Sequence, residues 1–158
     1  MIEEIDNFAR QFGAKIHLDE RLIVKTQNRY FLLSDNLRKL LSKDFFYAST
    51  YLGRAENGKF LPSFNLLRLI AEKESNKIIV DKKTAWLFIC GRDIFRQGIK
   101  SAMGSKKTGD HTLVLNEYEE CLGFGRIICD LTIAREGVAV ENLLDLGDFL
   151  IREKQTST

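Results

Sequence analysis

The stretch CLGFGR, residues 121–126, lies inside a strand-like run, NEYEECLGFGRIICD, residues 116–130. Glycine weakens a strand, because it brings no side chain to pack and loses more entropy on ordering. Side chains alternate across a strand, so Gly123 and Gly125 fall on one face, and Leu122, Phe124 and Arg126 fall on the other. A bare patch on a sheet face predicts that another backbone, a large side chain or a ligand lies close there.

Working outward, the turn after Leu115 falls among Asn116 to Glu120, and HTLVL before it is built from good strand formers. Upstream, NKIIVD reads as a short apolar strand. KKTAWLFICG reads as a short helix ending at Gly91, with Ala85, Trp86, Phe88 and Ile89 turned inward. A glycine-punctuated connection, GIKSAMG, leads to a turn at Gly109-Asp110. Downstream, GVAVENLLDLGDFLIREK is expected to supply one or two closing strands. Short strands with glycine turns and one small helix suggest a small barrel or curled sheet.

The first half reads differently. Ile2, Ile5, Phe8, Ala9 and Phe12 recur at helical spacing, with Gly13 as the stop. RLIVKTQNRYFLLS reads as two strands about a turn at Thr26 to Asn28. Ser34 can cap a short helix with Leu37, Leu40 and Leu41 on one face. Strands flank an Asn57-Gly58 turn, and a helix begins at Pro62-Ser63 with Leu66, Leu67, Ile70 and Ala71 inward. Tyr47, Tyr51 and Phe60 are expected in the core or between the halves, and Tyr118 at the surface. The reading is α+β. An N-terminal α/β domain spans residues 1–76, and a barrel-like domain spans 77–158.

The 158 residues suit one domain or two small ones; 44% are hydrophobic, 29% are charged and one is proline. No segment has the length of a membrane-spanning helix. The acidic, amphipathic start does not read as a signal peptide, so an intracellular protein is expected. Three cysteines without a CxxC, and two histidines, give no zinc-ligand spacing. Cys90, Cys121 and Cys129 are expected to be buried as small hydrophobes. No GxSxG, HExxH or phosphate-binding loop is present, and His17-Asp19 and Asp110-His111 bring no nucleophile with them. No enzyme activity, cofactor or metal is expected.

Net charge is +2, but its distribution is uneven. Lys82 to Lys107 holds seven basic residues against the single acid Asp93, and residues 108–158 hold ten acids against four bases. A locally basic segment is the footprint of an anion-binding face, or of a face whose charges pair with the acidic segment after it. Arg92, Arg96, Lys100, Lys106 and Lys107 are the candidate phosphate contacts, because guanidinium groups make paired bonds and loop lysines act as point charges. Trp86 and Phe88 could stack on bases, but their apolar helix predicts core packing.

The second half resembles the PUA domain, through TAWLFICGRDIF, GIKSAMG, GDHTLVLNE and CLGFGRI, and through the spacing of Gly91, Gly98, Gly109-Asp110 and Gly123-x-Gly125. That resemblance implies a pseudobarrel that binds RNA. Nearly the whole chain is similar to one ribosome-biogenesis family, Nip-seven, through TYLGRAENGKF, CLGFGR and the closing DLGDFLIRE. The resemblance implies a non-enzymatic role in large-subunit assembly and precursor rRNA processing. It implies contact with U-rich single strands and with other assembly proteins. It adds Arg152 and Lys154, after DLGDF, to the RNA surface. It also implies a cytoplasmic protein if archaeal, or a nucleolar one if eukaryotic; a monomer is expected. One departure stands out. The segment before DLGDF, AREGVAVENLL, carries only Arg135 as a base, opposed by Glu136 and Glu141. Two other readings stay open: a protein-interaction adaptor with little RNA contact, and a translation factor pairing a small domain with PUA.

Overall fold

The computed structural model describes residues 2–39 and 49–155, with side chains as far as Ile151. Leu40, Leu41 and Tyr47 lie outside the described residues. Helix α1 (Glu3–Arg10) opens the chain, with Glu3, Glu4 and Asp6 in its first turn and Arg10 in its last, both complementing the helix dipole. Gly13 follows at φ +68°, as the stop signal predicts. Strands β1 (Ile23–Thr26) and β2 (Arg29–Leu32) flank the expected turn, and a short helix α2 (Asp35–Lys39) follows. Strands β3 (Thr50–Glu56) and β4 (Lys59–Pro62) meet at Asn57-Gly58, where both residues have positive φ. That is the backbone a two-residue hairpin turn requires. Helix α3 (Phe64–Ala71) starts at Ser63, whose Oγ accepts a hydrogen bond from Leu66 N at 3.2 Å. These four strands form one antiparallel sheet in sequence order.

The second half contributes β5 (Lys77–Val80), α4 (Lys82–Ile89), β6 (Ile94–Phe95), β7 (Ile99–Met103), β8 (His111–Leu115), β9 (Cys121–Ile127), β10 (Val138–Asp145) and α5 (Leu146–Gln155). Its strands form a curled sheet in the order β6-β10-β9-β8-β5-β7, antiparallel except for β5 beside β8. The architecture is α+β with a PUA-type curled sheet.

Three local expectations are corrected. GIKSAMG is not a plain connection, because Ile99–Met103 pairs antiparallel with β5 and satisfies that strand's second edge. The closing DLGDFLIRE is a helix rather than a second strand. Asp145 Oδ1 accepts a hydrogen bond from Asp148 N at 2.8 Å, as a helix cap does, and Phe149 packs on Phe64 of α3 with ring centroids 5.0 Å apart. Trp86 and Cys90 are not core residues. Trp86 lies on the outer face of α4, 65% exposed, and Cys90, just past the end of that helix, is exposed too, while Phe88 alone of α4 is fully buried.

The sheet buries both faces. Ile78, Val80, Ile94, Val114, Ile127 and Val140 fill the inside of the curl with Phe88. Leu113, Leu115, Phe124 and Leu144 face out and pack against Ile5, Phe8, Phe12, Leu66, Leu67 and Ile70 from the first half. Two-sided burial explains why HTLVL lacks clean alternation: Thr112 to Leu115 are all buried. It also answers the glycine question. A Cβ on Gly123 would overlap the Leu144 carbonyl, and one on Gly125 would overlap the Glu141 carbonyl. What covers the bare patch is the backbone of β10, brought in by irregular register at Asn142/Leu144. Such bulges sharpen local twist and let a sheet curl.

His111 sits at the seam between the halves, with ring centroids 5.9 Å from Phe12 and 6.2 Å from Phe124. Burial and then the Arg126 charge hold its pKa below the usual imidazole value, against the pull of Asp110. The neutral ring is therefore favoured in the folded state. Its stabilisation is present above the unfolded-state value and is lost as pH falls through the lower folded-state value. The expected result is a melting temperature that declines on acidification below pH ~6.5. In H111F that component disappears, as melting curves across a pH series would show; an unchanged pH profile would count against it.

Candidate nucleic-acid interface

The predicted cations do not form one cluster. Arg92 follows α4, where its backbone N–H donates to Leu87 O at 3.0 Å and its side chain is exposed. Arg96 opens a 3-10 turn at Arg96–Gly98, with its backbone N–H on Gly137 O at 2.8 Å. It is half-buried; one guanidinium N–H reaches Ile99 O at 3.5 Å, and Nε has no protein hydrogen-bond partner among the described residues. Between the two arginines lies the edge strand β6. Ile94 points into the barrel and Phe95 points out, 55% exposed.

Lys106 and Lys107 lie on the 104–110 loop, which is fastened to the 128–137 loop by a Leu131 N–H bond to Lys106 O at 3.0 Å. The Ser105 hydroxyl donates to Asp110, and the Asp130 carboxyl is held below its usual range by hydrogen bonds from Thr132, with a smaller contribution from Lys107. Gly137, beside Arg96, belongs to that same 128–137 loop. Arg92, Phe95, Arg96, Lys106 and Lys107 therefore follow one rim of the barrel, along β6 and around the loop. No ion pair with an acid occupies Arg92, Arg96, Lys106 or Lys107 among the described residues.

Lys100 is elsewhere. It lies toward the opposite end of the β5–β7 pair, where Val80 faces Ile99, and it donates to Glu117 at 2.7 Å. For this lysine the charge is answered by the acidic segment. Arg126 is likewise held by Glu141, at 2.5 Å. Arg152 and Lys154 fall on the backbone of α5, and their side chains lie outside the described residues.

Sequence reasoning missed Phe95. Ile94 and Phe95 are both apolar, and only their burial in the fold, on the strand paired with β10, shows which one faces outward. Tyr118 is exposed as expected, at the tip of the β8–β9 turn. Cys121 is half-buried and its thiol is pushed up to about 11 by burial, so at neutral pH it stays protonated rather than serving as a nucleophile. A cleft of about 550 Å³ beside it carries both signs of charge, with Arg68 and Lys77 facing Glu72, Glu119 and Glu120. That mixture makes a poor cradle for an anion. No helix among the described residues is long and apolar enough to cross a membrane.

Comparison with known proteins agrees with this architecture. A conserved PUA domain protein from Thermoplasma acidophilum superposes with a TM-score of 0.60 over 96% of this chain and 92% of its own, at 20% identity. A hypothetical protein from Pyrococcus horikoshii OT3 gives 0.58 over the same shares, at 16% identity. At those identities the likeness concerns the fold. A UPF0113 protein of Archaeoglobus fulgidus is 31% identical over 85 residues, 50% of this chain and 47% of that protein, so the match spans about half of the relative's length. Residues 76–154, half of the chain and the whole of the curled sheet, match the UPF0113 PUA domain model, and the chain belongs to that family.

Proposed function

We propose that this protein binds single-stranded, U-rich RNA along the rim formed by β6 and the 128–137 loop, without catalysing a reaction. The observation that carries the reading is the order Arg92, Phe95, Arg96 on an exposed edge: two cations flank an outward aromatic ring. Single-strand binding needs cations for the backbone and a planar group for an unstacked base. Lys106 and Lys107 extend the charge along the same rim. The finer assignment is a monomeric factor of large ribosomal subunit assembly and precursor rRNA processing, cytoplasmic if archaeal and nucleolar if eukaryotic. It is supported by the resemblance to the Nip-seven family, while the PUA family match supports the RNA-binding part of the reading. The adaptor reading draws on a different observation: Glu117 and Glu141 neutralise Lys100 and Arg126, leaving a shorter cationic track.

The test is fluorescence anisotropy with a U-rich RNA and an A-rich control over a salt series. Each neutralised phosphate contributes about −0.7 to the log–log slope on a single strand. R92E/R96E flattens the slope by about 1.4 if both arginines meet phosphate. Phe95→Ala weakens binding by about 1–3 kcal/mol with little change in slope, as loss of base stacking does. Absence of binding at low salt, or an unchanged slope in a folded R92E/R96E protein, would overturn the reading. In that event, assembly partners recovered after nuclease treatment would support the adaptor.

A further inference from the structure

Asp93 is the one acidic residue between Lys82 and Lys107, and it directly follows Arg92 on the rim. A carboxylate beside a phosphate contact opposes binding, because like charges repel. Its hydrogen bond explains its place. The β6–β10 ladder runs only from Val138↔Phe95 to Val140↔Ile94. Beyond it, side chains continue the pairing in both directions. Asp93 Oδ1 accepts a hydrogen bond from the Asn142 backbone N–H at 2.9 Å, and Asn142 Nδ2 donates back to Arg92 O at 3.4 Å. The same amide donates to Phe88 O, near the end of α4, at 2.9 Å and to Asp145 Oδ2 at 3.2 Å. All three partners of Nδ2 are acceptors, which fixes the way the amide points. Asn142 reaches them from the irregular register of β10 at Asn142/Leu144, and a bulge re-aims a side chain in this way. At the other end of the segment, Arg96 N–H donates to Gly137 O at 2.8 Å. Residues 92–96 are thus fastened to β10 at both ends.

We infer that Asp93 and Asn142 form a clasp that positions Arg92 for RNA. Both are positioning residues: they act through the backbone of Arg92 and do not themselves hold the ligand. The inference rests on the RNA-binding reading and assigns to it the groups that set its geometry. The clasp is needed because Arg92 lies past the end of α4, just after Gly91 at φ +86°, where no helix holds it. Ordering such a stretch at the moment of binding costs affinity, and a backbone set in advance avoids that cost.

The test compares two variants of equal charge. D93N keeps a side-chain oxygen that can accept from Asn142 N–H, and D93A has none. Both remove the same negative charge, so the difference between them reads the clasp alone. In fluorescence anisotropy with the full chain and the U-rich RNA, D93A is expected to bind at least about threefold more weakly than D93N. In an R92A background that gap closes, because no guanidinium is left to position. N142A follows the same pattern, weakening binding in the otherwise native chain more than in R92A. Circular dichroism melts establish that each variant is folded at the assay temperature; should D93A not fold, N142A in the two backgrounds decides the question. A purely structural clasp would lower the melting temperature of D93A and leave its affinity equal to that of D93N, and that result would overturn the inference. So would an affinity gap of the same size with and without Arg92. Failure of the RNA reading looks different: the native chain does not bind at low salt, or R92E/R96E leaves the salt slope unchanged, and the clasp falls with it. Equal binding by D93N and D93A, in a chain whose slope does respond to R92E/R96E, would remove the clasp and leave RNA binding standing.

Discussion

Replacing Gly123 by alanine lowers the melting temperature by about 10 °C or more. Two causes add. Gly123 has φ +145°, a backbone conformation that side chains rarely adopt, and such strain costs about 1–3 kcal/mol. The new methyl would also overlap the Leu144 carbonyl and sit 2.9 Å from Asp145 Cα, so a paired strand must move rather than a flexible side chain. Together about 3–5 kcal/mol is expected, and each kcal/mol is worth about 2–4 °C for a chain of this size. Gly58→Ala is the control. It too has positive φ, at +73°, but nothing lies within 4 Å of its added methyl. Its loss is confined to the turn strain, about 1 kcal/mol. Thermal melts followed by circular dichroism compare the two; equal losses would mean that contact with β10 contributes nothing.

Phe12→Ala costs about 3–5 kcal/mol and destabilises both halves of the molecule together. The side chain is fully buried and its ring meets Phe8 at 5.3 Å, Phe124 at 5.4 Å and His111 at 5.9 Å between centroids. The first two contacts differ in kind. Phe8 belongs to α1, which ends just before Phe12, whereas Phe124 and His111 belong to the curled sheet. Truncation therefore opens a cavity at the seam rather than inside one unit. Trp86 fluorescence reports on the second half and far-ultraviolet circular dichroism on the whole chain. In urea, the two signals should trace one transition in the wild type and in the variant, shifted to lower denaturant. An early loss of helix signal with Trp86 unaffected would show that the seam does not couple the halves.

Much of the fold was legible in the residues. Gly123 and Gly125 predict a close neighbour without saying whether it is backbone, side chain or ligand; Asn57-Gly58 demands positive φ at two positions, and Ser63 and the apolar spacing behind it demand a helix. These signals are local, and local physics settled them. The errors came where a tertiary contact made the decision. Ile99–Met103 has no strong strand pattern, yet the open edge of β5 recruits it. DLGDFLIRE has a strand-like apolar content, but Asp145 caps a helix and Phe64 receives Phe149. Trp86 looked like a core residue because it is large and apolar; only the orientation of α4, fixed by burying Phe88, turns it outward. The basic segment was visible as composition. Its division into a rim, from Arg92 to Lys107, and a neutralised Lys100 depended on Glu117, seventeen residues further along the chain.

The core shared between α1, α3 and the outer face of the curled sheet has a consequence for synthesis. Phe8, Phe12, Leu66 and Ile70 leave the ribosome before Leu113, Phe124 and Leu144, which cover them. At about 5–20 residues per second, the first half waits several seconds with its apolar side open. Its completion depends on a strand made near the end of the chain. Nascent chains stalled before Phe124 are therefore the species that chaperones would hold and that proteases would cut.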